Sequence, residues 1–548
     1  MKLSNSDIGA EIISIITKGM YTDPKDALRE YVQNGVDAGT KNIEIKIRQN
    51  IITIQDYGKG MSKGIMRRAV RVGMSDKNPK FSVGFMGIGL YSSFHLCDVL
   101  SIYSKVPDQA PNKLTFRFKE MRNILEEQKR IRVERQETGQ EDNAQIPLLP
   151  LLEKCVDFNQ LEETAFSKIG TRVEMSGVEE NFYMTLSKFE EIAEYLEKVV
   201  PLPFNPEFRF GNEIQKQINR VCTEHNSEFK VINLLLDING EARELHRPYK
   251  DSDFENGPQK PIFKDLKSDD DFFGISWGCL NSSNDVIVNK KVRGFVLRKQ
   301  GFALGAQDAL QVLFGARFFN RYVGEIIVVH PRLLPNGARN DFEYSNLRNS
   351  FYRVLRDITV EYNQDASKFQ EQQKAEQELH RITTLYREEQ GKLRSYENDS
   401  DKLLETYKKL TIAKTTFDKR LKSPWKIRPH IKQEAKETMR FLGELIEEIK
   451  TLIEVRRKEK KSKPTPIAVV ANKLNAAPKP RVQQHEDRIP TSLSEVVELI
   501  GSPFSTEIKQ IFDLLEERYI KPAVVNQDDF LEKLVELKSD IEDLFSEE

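Results

Sequence analysis

Apolar residues in the first stretch fall at Ile8, Ile12, Ile15 and Ile16, the spacing of one helix face, and predict a helix over 6–19. Asp23-Pro24 then supplies a cap and a proline at the first helical position, opening a second helix that carries Glu30 and Asn34. The period next switches to two. Asn42–Arg48 and Ile51–Gln55 alternate or run β-branched about a polar Gln49-Asn50 turn, which predicts a hairpin. Residues 64–72 read as helix, and 73–89 as a polar, glycine-dotted loop ending on a helix near Leu90. Strands are predicted at Val99–Ser104, Lys113–Lys119, Arg130–Gln136 and Thr171–Met175, with 137–165 irregular around PLLPLL. Helices beside one mostly antiparallel sheet predict an α/β sandwich over 1–180 with one sheet face covered.

A helix over about 183–198 is broken at Val199–Asn205, where VVPLPFN marks a boundary. The block that follows predicts an α/β middle domain over 200–350, with strands at Phe229–Leu235, Phe273–Leu280, Val286–Val288, Gly294–Leu297 and Tyr322–Val329. From Phe351 to Asp418 the chain is charged and helical, softened near Gly391. Pro424 and Pro429 interrupt it before a second helical run at His430–Arg457. Strict heptads do not persist, so 351–457 predicts a packed helical hairpin or short antiparallel coil. Residues 458–491, rich in Lys, Pro, Ala and Gln, read as a flexible linker. Residues 492–548 read as a small helical tail, with helices at Leu493–Ile500, Ser505–Arg518 and Asp528–Phe545.

Composition narrows the picture without deciding it. A chain of 548 residues divides into several domains. Its 84 basic and 85 acidic side chains cancel to a net charge of -1, which removes any global pull toward nucleic acid or membrane. Cys97, Cys155, Cys222 and Cys279 lie far apart with no paired spacing, which predicts reduced thiols and no structural zinc. No run of 18 apolar residues and no signal-like start is present, so a cytoplasmic protein without membrane association is expected.

The candidate chemistry sits in LREYVQNGVDAG, Leu28 to Gly39, where Glu30, Asn34 and Asp37 share one helix face. Magnesium takes oxygen ligands and needs only one or two from protein beside the phosphates. Asn34 offers such an oxygen without adding charge, and Glu30, one turn earlier, can orient and deprotonate a water aimed at a terminal phosphate. Asp56 closes a strand before Gly58 and Gly60, where its carboxylate can accept from an exocyclic amine and so select adenine. Gly84, Gly87 and Gly89 precede the apolar segment at Leu90, and bare backbone amides there can cradle an anion. No Gly-Lys-Ser/Thr follows them, so a P-loop is not supported. Ser75 and Lys77 lie upstream in the same loop and can meet phosphate if it closes, although surface loops carry such residues routinely. An ordinary exposed helix and a plain β-turn would also accommodate these patterns singly; their order and spacing point to a magnesium–nucleotide site.

That order, with Gly170-Thr171 in IGTRVEM, resembles the GHKL ATPase superfamily, and LREYVQNGVDA and MGIGLYSSF are most similar to the ninety-kilodalton heat-shock chaperones. The resemblance implies a Bergerat ATPase fold, ATP and Mg2+ as cofactors, Glu30 as general base and Asn34 as metal ligand. It further implies that Asp37 shapes the pocket, and that Asp56, Gly58, Gly60, Met61 and Thr171 serve adenine. Gly87, Ile88 and Gly89 would then offer amides to phosphate, with 73–86 as an ATP lid. LLPNGARNDFE at 333–343 resembles the chaperones' catalytic loop, which would make Arg339 a second catalytic residue and Asn336 the loop asparagine. Arg298 and Lys299 compete for that role, because MutL and MORC proteins use a lysine from this domain; a structural role for all three also remains.

The C-terminal half departs from the chaperones, with neither their dimerisation domain nor their terminal peptide. The resemblance and the departure together imply a chaperone-like, ATP-driven clamp, a nucleotide-dependent homodimer with an unidentified client, in stress response or prokaryotic antiviral defence. The alternative is a DNA-directed clamp of the MutL or MORC sort, drawing on Lys419–Lys426 and Arg456–Lys463. A nucleotide-binding scaffold without turnover is a third reading, disfavoured by Glu30.

Overall fold

The computed structural model describes residues 8–462 apart from 76, 79–81, 83, 85, 139–144, 284, 307 and 423–427, with backbone alone at 316 and 459–462. The predicted tail helices and most of the linker lie outside the described residues. In chain order the first elements are α1 (Ile12–Met20), α2 (Lys25–Asp37), β1 (Asn42–Arg48), β2 (Ile51–Asp56), α3 (Lys63–Ala69), β3 (Val99–Lys105) and β4 (Asn112–Arg117). They continue with α4 (Phe118–Glu137), α5 (Leu148–Cys155), β5 (Val156–Gln160), β6 (Gly170–Ser176), α6 (Glu180–Leu186), α7 (Phe189–Val199), α8 (Gly211–Glu224), β7 (Asn233–Ile238) and β8 (Glu241–Leu245).

The eight strands form one sheet in the order β5-β4-β3-β6-β2-β1-β7-β8. Every pairing is antiparallel except β1 with β7, where Ile45 faces Leu236 in parallel. Ile43, Ile45 and Ile47 alternate into the core, and Leu28, Val32 and Val36 of α2 pack in the same core with Ile192 and Leu196 of α7. The α/β sandwich predicted from periodicity is therefore present, but its sheet draws two strands from beyond the VVPLPFN break. The strand expected at Phe229–Leu235 begins at Asn233 and completes this first sheet. Alternation marks a strand but not its partner, and β7 takes the place beside β1 that would otherwise be an open edge.

Three local expectations give way. Arg130–Gln136 is the last part of α4, not a strand: Ile131 and Val133 alternate, but the run continues a helix whose buried residues Phe118, Met121 and Leu125 recur every three or four. PLLPLL is the start of α5, tolerated because Pro150 falls in the first turn, where an amide has no helical partner. In α1 the buried residues are Ile13, Ser14 and Thr17, while Ile15 is 68% exposed and Ile8 50%. The isoleucine face predicted at 8, 12, 15 and 16 is thus divided between core and surface.

The second sheet comprises β9 (Ile262–Lys267), β10 (Phe272–Leu280), β11 (Gly294–Lys299), β12 (Phe302–Leu304) and β13 (Tyr322–Val328), in the order β12-β11-β13-β10-β9. Short helices α9 (Gln311–Phe314) and α10 (Ala316–Phe319) precede β13. One face packs on Ile214, Ile218 and Val221 of α8. The other packs on Phe351, Leu355, Ile358 and Tyr362. Coverage on both faces explains why β11 and β13 read as unbroken buried runs. Val286–Val288 is not a strand; Val286 and Val288 are exposed in the segment leading to β11. Within this domain Glu325 is fully buried between Arg298 Nε at 2.5 Å and Arg247 at 2.9 Å, and takes Tyr249 and Trp277 as further donors.

The remaining helices are α11 (Asn346–Tyr396), α12 (Ser400–Leu421) and α13 (Pro429–Ser462). Ser345 caps α11 by accepting from the Arg348 amide. Its 51 residues span about 75 Å at 1.5 Å each, running from the second core into a separate one. There Ile382 and Leu393 meet Leu403, Leu410 and Phe417 of α12 and Ala435, Leu442 and Ile449 of α13. Gly391 does not interrupt α11; the chain turns at 397–399, where Asp399 caps α12 through the amides of Asp401 and Lys402. Where a helical hairpin or short antiparallel coil is predicted, the described residues form three helices around a common core. Among the described residues no helix is long and apolar enough to cross a membrane.

Candidate nucleotide site

The first side of the site is the C-terminal half of α2. Leu28, Val32 and Val36 bury one face of this helix, and that choice turns Glu30, Asn34 and Asp37 toward the loops at the end of β2 and after α3. Glu30 is nonetheless only 6% exposed. Gly89 lies directly against it: a Cβ there would stand 2.9 Å from Glu30 Oε2, so a larger residue would push this carboxylate aside. Gly89–Ser93 forms a short 3-10 turn rather than the α-helix expected at Leu90. Tyr31 of α2 fixes that turn by donating to the Leu90 carbonyl and sharing a 2.6 Å hydrogen bond with Ser93.

Asp56 ends β2, opposite Thr171 of β6. Its Oδ1 accepts from the amides of Gly58 at 2.8 Å and Thr171 at 3.3 Å. Burial raises the carboxyl to about 6 and outweighs both amides, which lower it. Ser104, not singled out in the sequence, ties the far wall together. Its hydroxyl pairs with Thr171 Oγ1 at 2.9 Å, donates to Gly170 O, and accepts from the Met61 amide at 2.8 Å. Gly60 has φ +70°, and a Cβ on it would fall 2.1 Å from Lys105 O, so the turn from Asp56 to Met61 cannot carry a side chain there.

The loop after α3 is closed at its base by Gly73 N–H donating to Gly87 O. Ser75 is exposed and accepts from the Lys77 amide at 3.2 Å, shaping the loop rather than reaching inward. Lys77 does reach inward: Nζ lies 2.9 Å from Asn34 Oδ1 and 2.7 Å from Asp37 Oδ2. The Gly84 amide donates to the same Asp37 oxygen at 3.1 Å. Ile88 is buried and its carbonyl accepts from Tyr91 N.

The second sheet's domain closes the site from outside. Asn336 shapes its loop by accepting from the Asn340 amide, and its own amide donates to Asp341 O. Arg339 sits at φ +56°, a left-handed conformation that costs an arginine about 1 kcal/mol. Its Nε lies 3.7 Å from Glu30 Oε1, both side chains nearly buried. Held strain at such a point marks a positioned residue. Gly337 packs against Met20 at the end of α1, and the next residue, Tyr21, is pushed well up by burial and by the neighbouring Glu30. Arg29 donates to Ala303 O of β12 at 2.7 Å, so α2 is gripped at adjacent residues. The competitors are engaged elsewhere: Arg298 with Glu325, and Lys299 with the His330 carbonyl at 2.6 Å, its ammonium lowered to about 7 by burial. Tyr21 and Ser104 gave no motif; Arg29 lies within LREYVQNGVDAG beside Glu30 but is not singled out there.

These groups suit a magnesium–nucleotide. A buried carboxylate flanked by glycine turns can take an amine, and the cation already standing on Asn34 shows that this oxygen pair accepts positive charge. Residues 21–145 match the family described as histidine kinase-, DNA gyrase B-, and HSP90-like ATPase. This region therefore has a GHKL-type ATPase fold, which implies ATP binding in general. No curated protein matches the chain. Among solved structures it is similar to the N-terminal domain of a DNA repair protein, at 13% identity and a TM-score of 0.36, over 65% of this chain and 98% of that one.

Asp56 provides a pH test. The raised value means that the charged acceptor is lost as pH falls through about 6, so adenine-nucleotide affinity is expected to drop about tenfold per unit below that. The same shift lets the folded state bind this proton more tightly than the unfolded chain, so the group adds stability as pH falls toward 3.8. Loss of affinity there is thus not unfolding caused by Asp56. Calorimetric titration with ADP from pH 5 to 8 checks it, and an Asp56→Asn protein with the parent's pH profile would reject the assignment.

Proposed function

We propose that this protein is an ATP-hydrolysing clamp, in which two ATPase domains close on each other with ATP bound and part after hydrolysis. The observation that carries the reading is the Glu30–Arg339 contact at 3.7 Å, which joins the α2 face to a loop of the second domain. Glu30 takes a proton from the attacking water, and Arg339 stabilises charge on the phosphoryl group. Asp56, with Gly58, Gly60, Met61 and Thr171 around it, selects adenine; amides of Gly87, Ile88 and Gly89 serve the phosphates, while that of Gly84 holds Asp37. Mg2+ on Asn34 would neutralise phosphate charge, with Asp37 beside it.

Of the two partners for such a clamp, duplex DNA now stands ahead of a protein client. The matched family spans gyrase B as well as the chaperones, so it lends the chaperones no preference. Residues after the second domain form a helical arm, and α12 carries Lys402, Lys408, Lys409, Lys414, Lys419 and Arg420 against Asp401, Glu405 and Asp418. Part of this charge is spent internally, as in the Lys409–Glu389 pair. Light scattering of Glu30→Gln with and without Mg-ATP tests closure: a nucleotide-dependent dimer is expected, and a mass indifferent to nucleotide would remove the clamp. Binding of duplex DNA that weakens steeply with salt is expected of the closed form. Absence of DNA binding together with suppressed aggregation of a denaturing protein would return the chaperone reading to first place.

A further inference from the structure

The oxygens on the metal side of the pocket are held by a cation that belongs to the chain. Lys77 Nζ bridges Asn34 Oδ1 at 2.9 Å and Asp37 Oδ2 at 2.7 Å. The Asp37 side chain is 3% exposed and that of Lys77 34%, so the ammonium enters from the open side onto a buried carboxylate. Gly84 N–H holds the same carboxylate oxygen from the other arm of the loop. An ammonium offers one charge and donates hydrogen bonds near 2.8 Å, whereas Mg2+ demands oxygens at about 2.0–2.1 Å in an octahedron. The two cannot share Asn34 Oδ1.

We propose that Lys77 sets the metal dependence of nucleotide binding by standing in for the metal. Its ammonium holds the Asn34–Asp37 pair together in the nucleotide-free protein and serves as countercharge for a metal-free adenine diphosphate. It leaves Asn34 when a magnesium-bearing nucleotide is seated. Because Lys77 and Gly84 both reach Asp37, the exchange also loosens one of the ties between this loop and α2. The inference rests on the reading of Asn34 as metal ligand.

Binding of ADP to the full chain, measured calorimetrically in Mg2+ and in EDTA, tests it without turnover. In EDTA, Lys77→Met is expected to bind ADP about tenfold more weakly than the parent, through loss of a charge-assisted contact. In Mg2+ it is expected to bind at least as tightly, since no ammonium has to be displaced, so its metal dependence steepens. Equal weakening in both buffers would make Lys77 an ordinary phosphate ligand and overturn the stand-in role; no change in either overturns it as well. Asn34→Ala separates this from the underlying reading. If it binds ADP in Mg2+ like the parent, the metal assignment itself is wrong, whatever Lys77 does.

Discussion

Replacing Glu30 by glutamine is expected to lower ATP turnover by about 10² to 10⁴-fold while leaving ATP affinity within a few-fold. Glu30 is buried, yet one of its oxygens faces the Arg339 guanidinium and the other the bare backbone of Gly89. Glutamine keeps the shape and the neighbours but cannot accept a proton from water. The substitution therefore removes the base without opening a cavity or removing a nucleotide contact. Turnover measured beside equilibrium ATP binding checks the separation. Turnover at the parent's rate would show that Glu30 is not the base, and loss of binding would show that it holds the nucleotide instead.

Arg339→Ala is expected to lower turnover by about 10³-fold, the scale of an arginine supplied to a transferring phosphoryl group. ADP affinity should stay within a few-fold, because the groups proposed to hold adenine and phosphate lie on the first domain. Alanine tolerates φ +56° no better and no worse than arginine, so backbone strain is unchanged. Arg339→Lys should not restore the rate, since a point charge lacks the planar fork and does not reach as a guanidinium does. The full chain is the right material for this measurement. A fragment ending at 180 lacks β7 and β8, so the edge of β1 is left open and its failure would say nothing about Arg339. A full-length Arg339→Ala protein with the parent's turnover would confine the chemistry to the first domain.

Much of this site was legible because its residues are local in sequence. Helical spacing alone puts Glu30, Asn34 and Asp37 on one face, and a strand that ends at Asp56 delivers that carboxylate to a loop. What periodicity misled was equally local. Ile131 and Val133 alternate like a strand inside a charged helix, because alternation over a few residues cannot be told from a helix whose buried face lies a turn earlier. Among the isoleucines of α1, Ile13 rather than Ile15 is the one buried, since the neighbouring elements, not the spacing, choose the face.

The sequence by itself determined the chemistry on offer: an acid face, two glycine turns and an arginine loop, each dictated by backbone geometry within a dozen residues. Only the tertiary structure decided which of these meet. Arg339 faces Glu30 across a separation of hundreds of residues, while Arg298, a competitor in sequence, is fixed on Glu325 in a buried core. The reason is physical. A buried guanidinium needs acceptors, and the packing of the second sheet on α8 and α11 sets Arg298 against Glu325 while the loop after β13 carries Arg339 to Glu30. Lys77 on Asn34 is of the same kind, because no local rule says where a long, flexible side chain on a polar loop will set its charge.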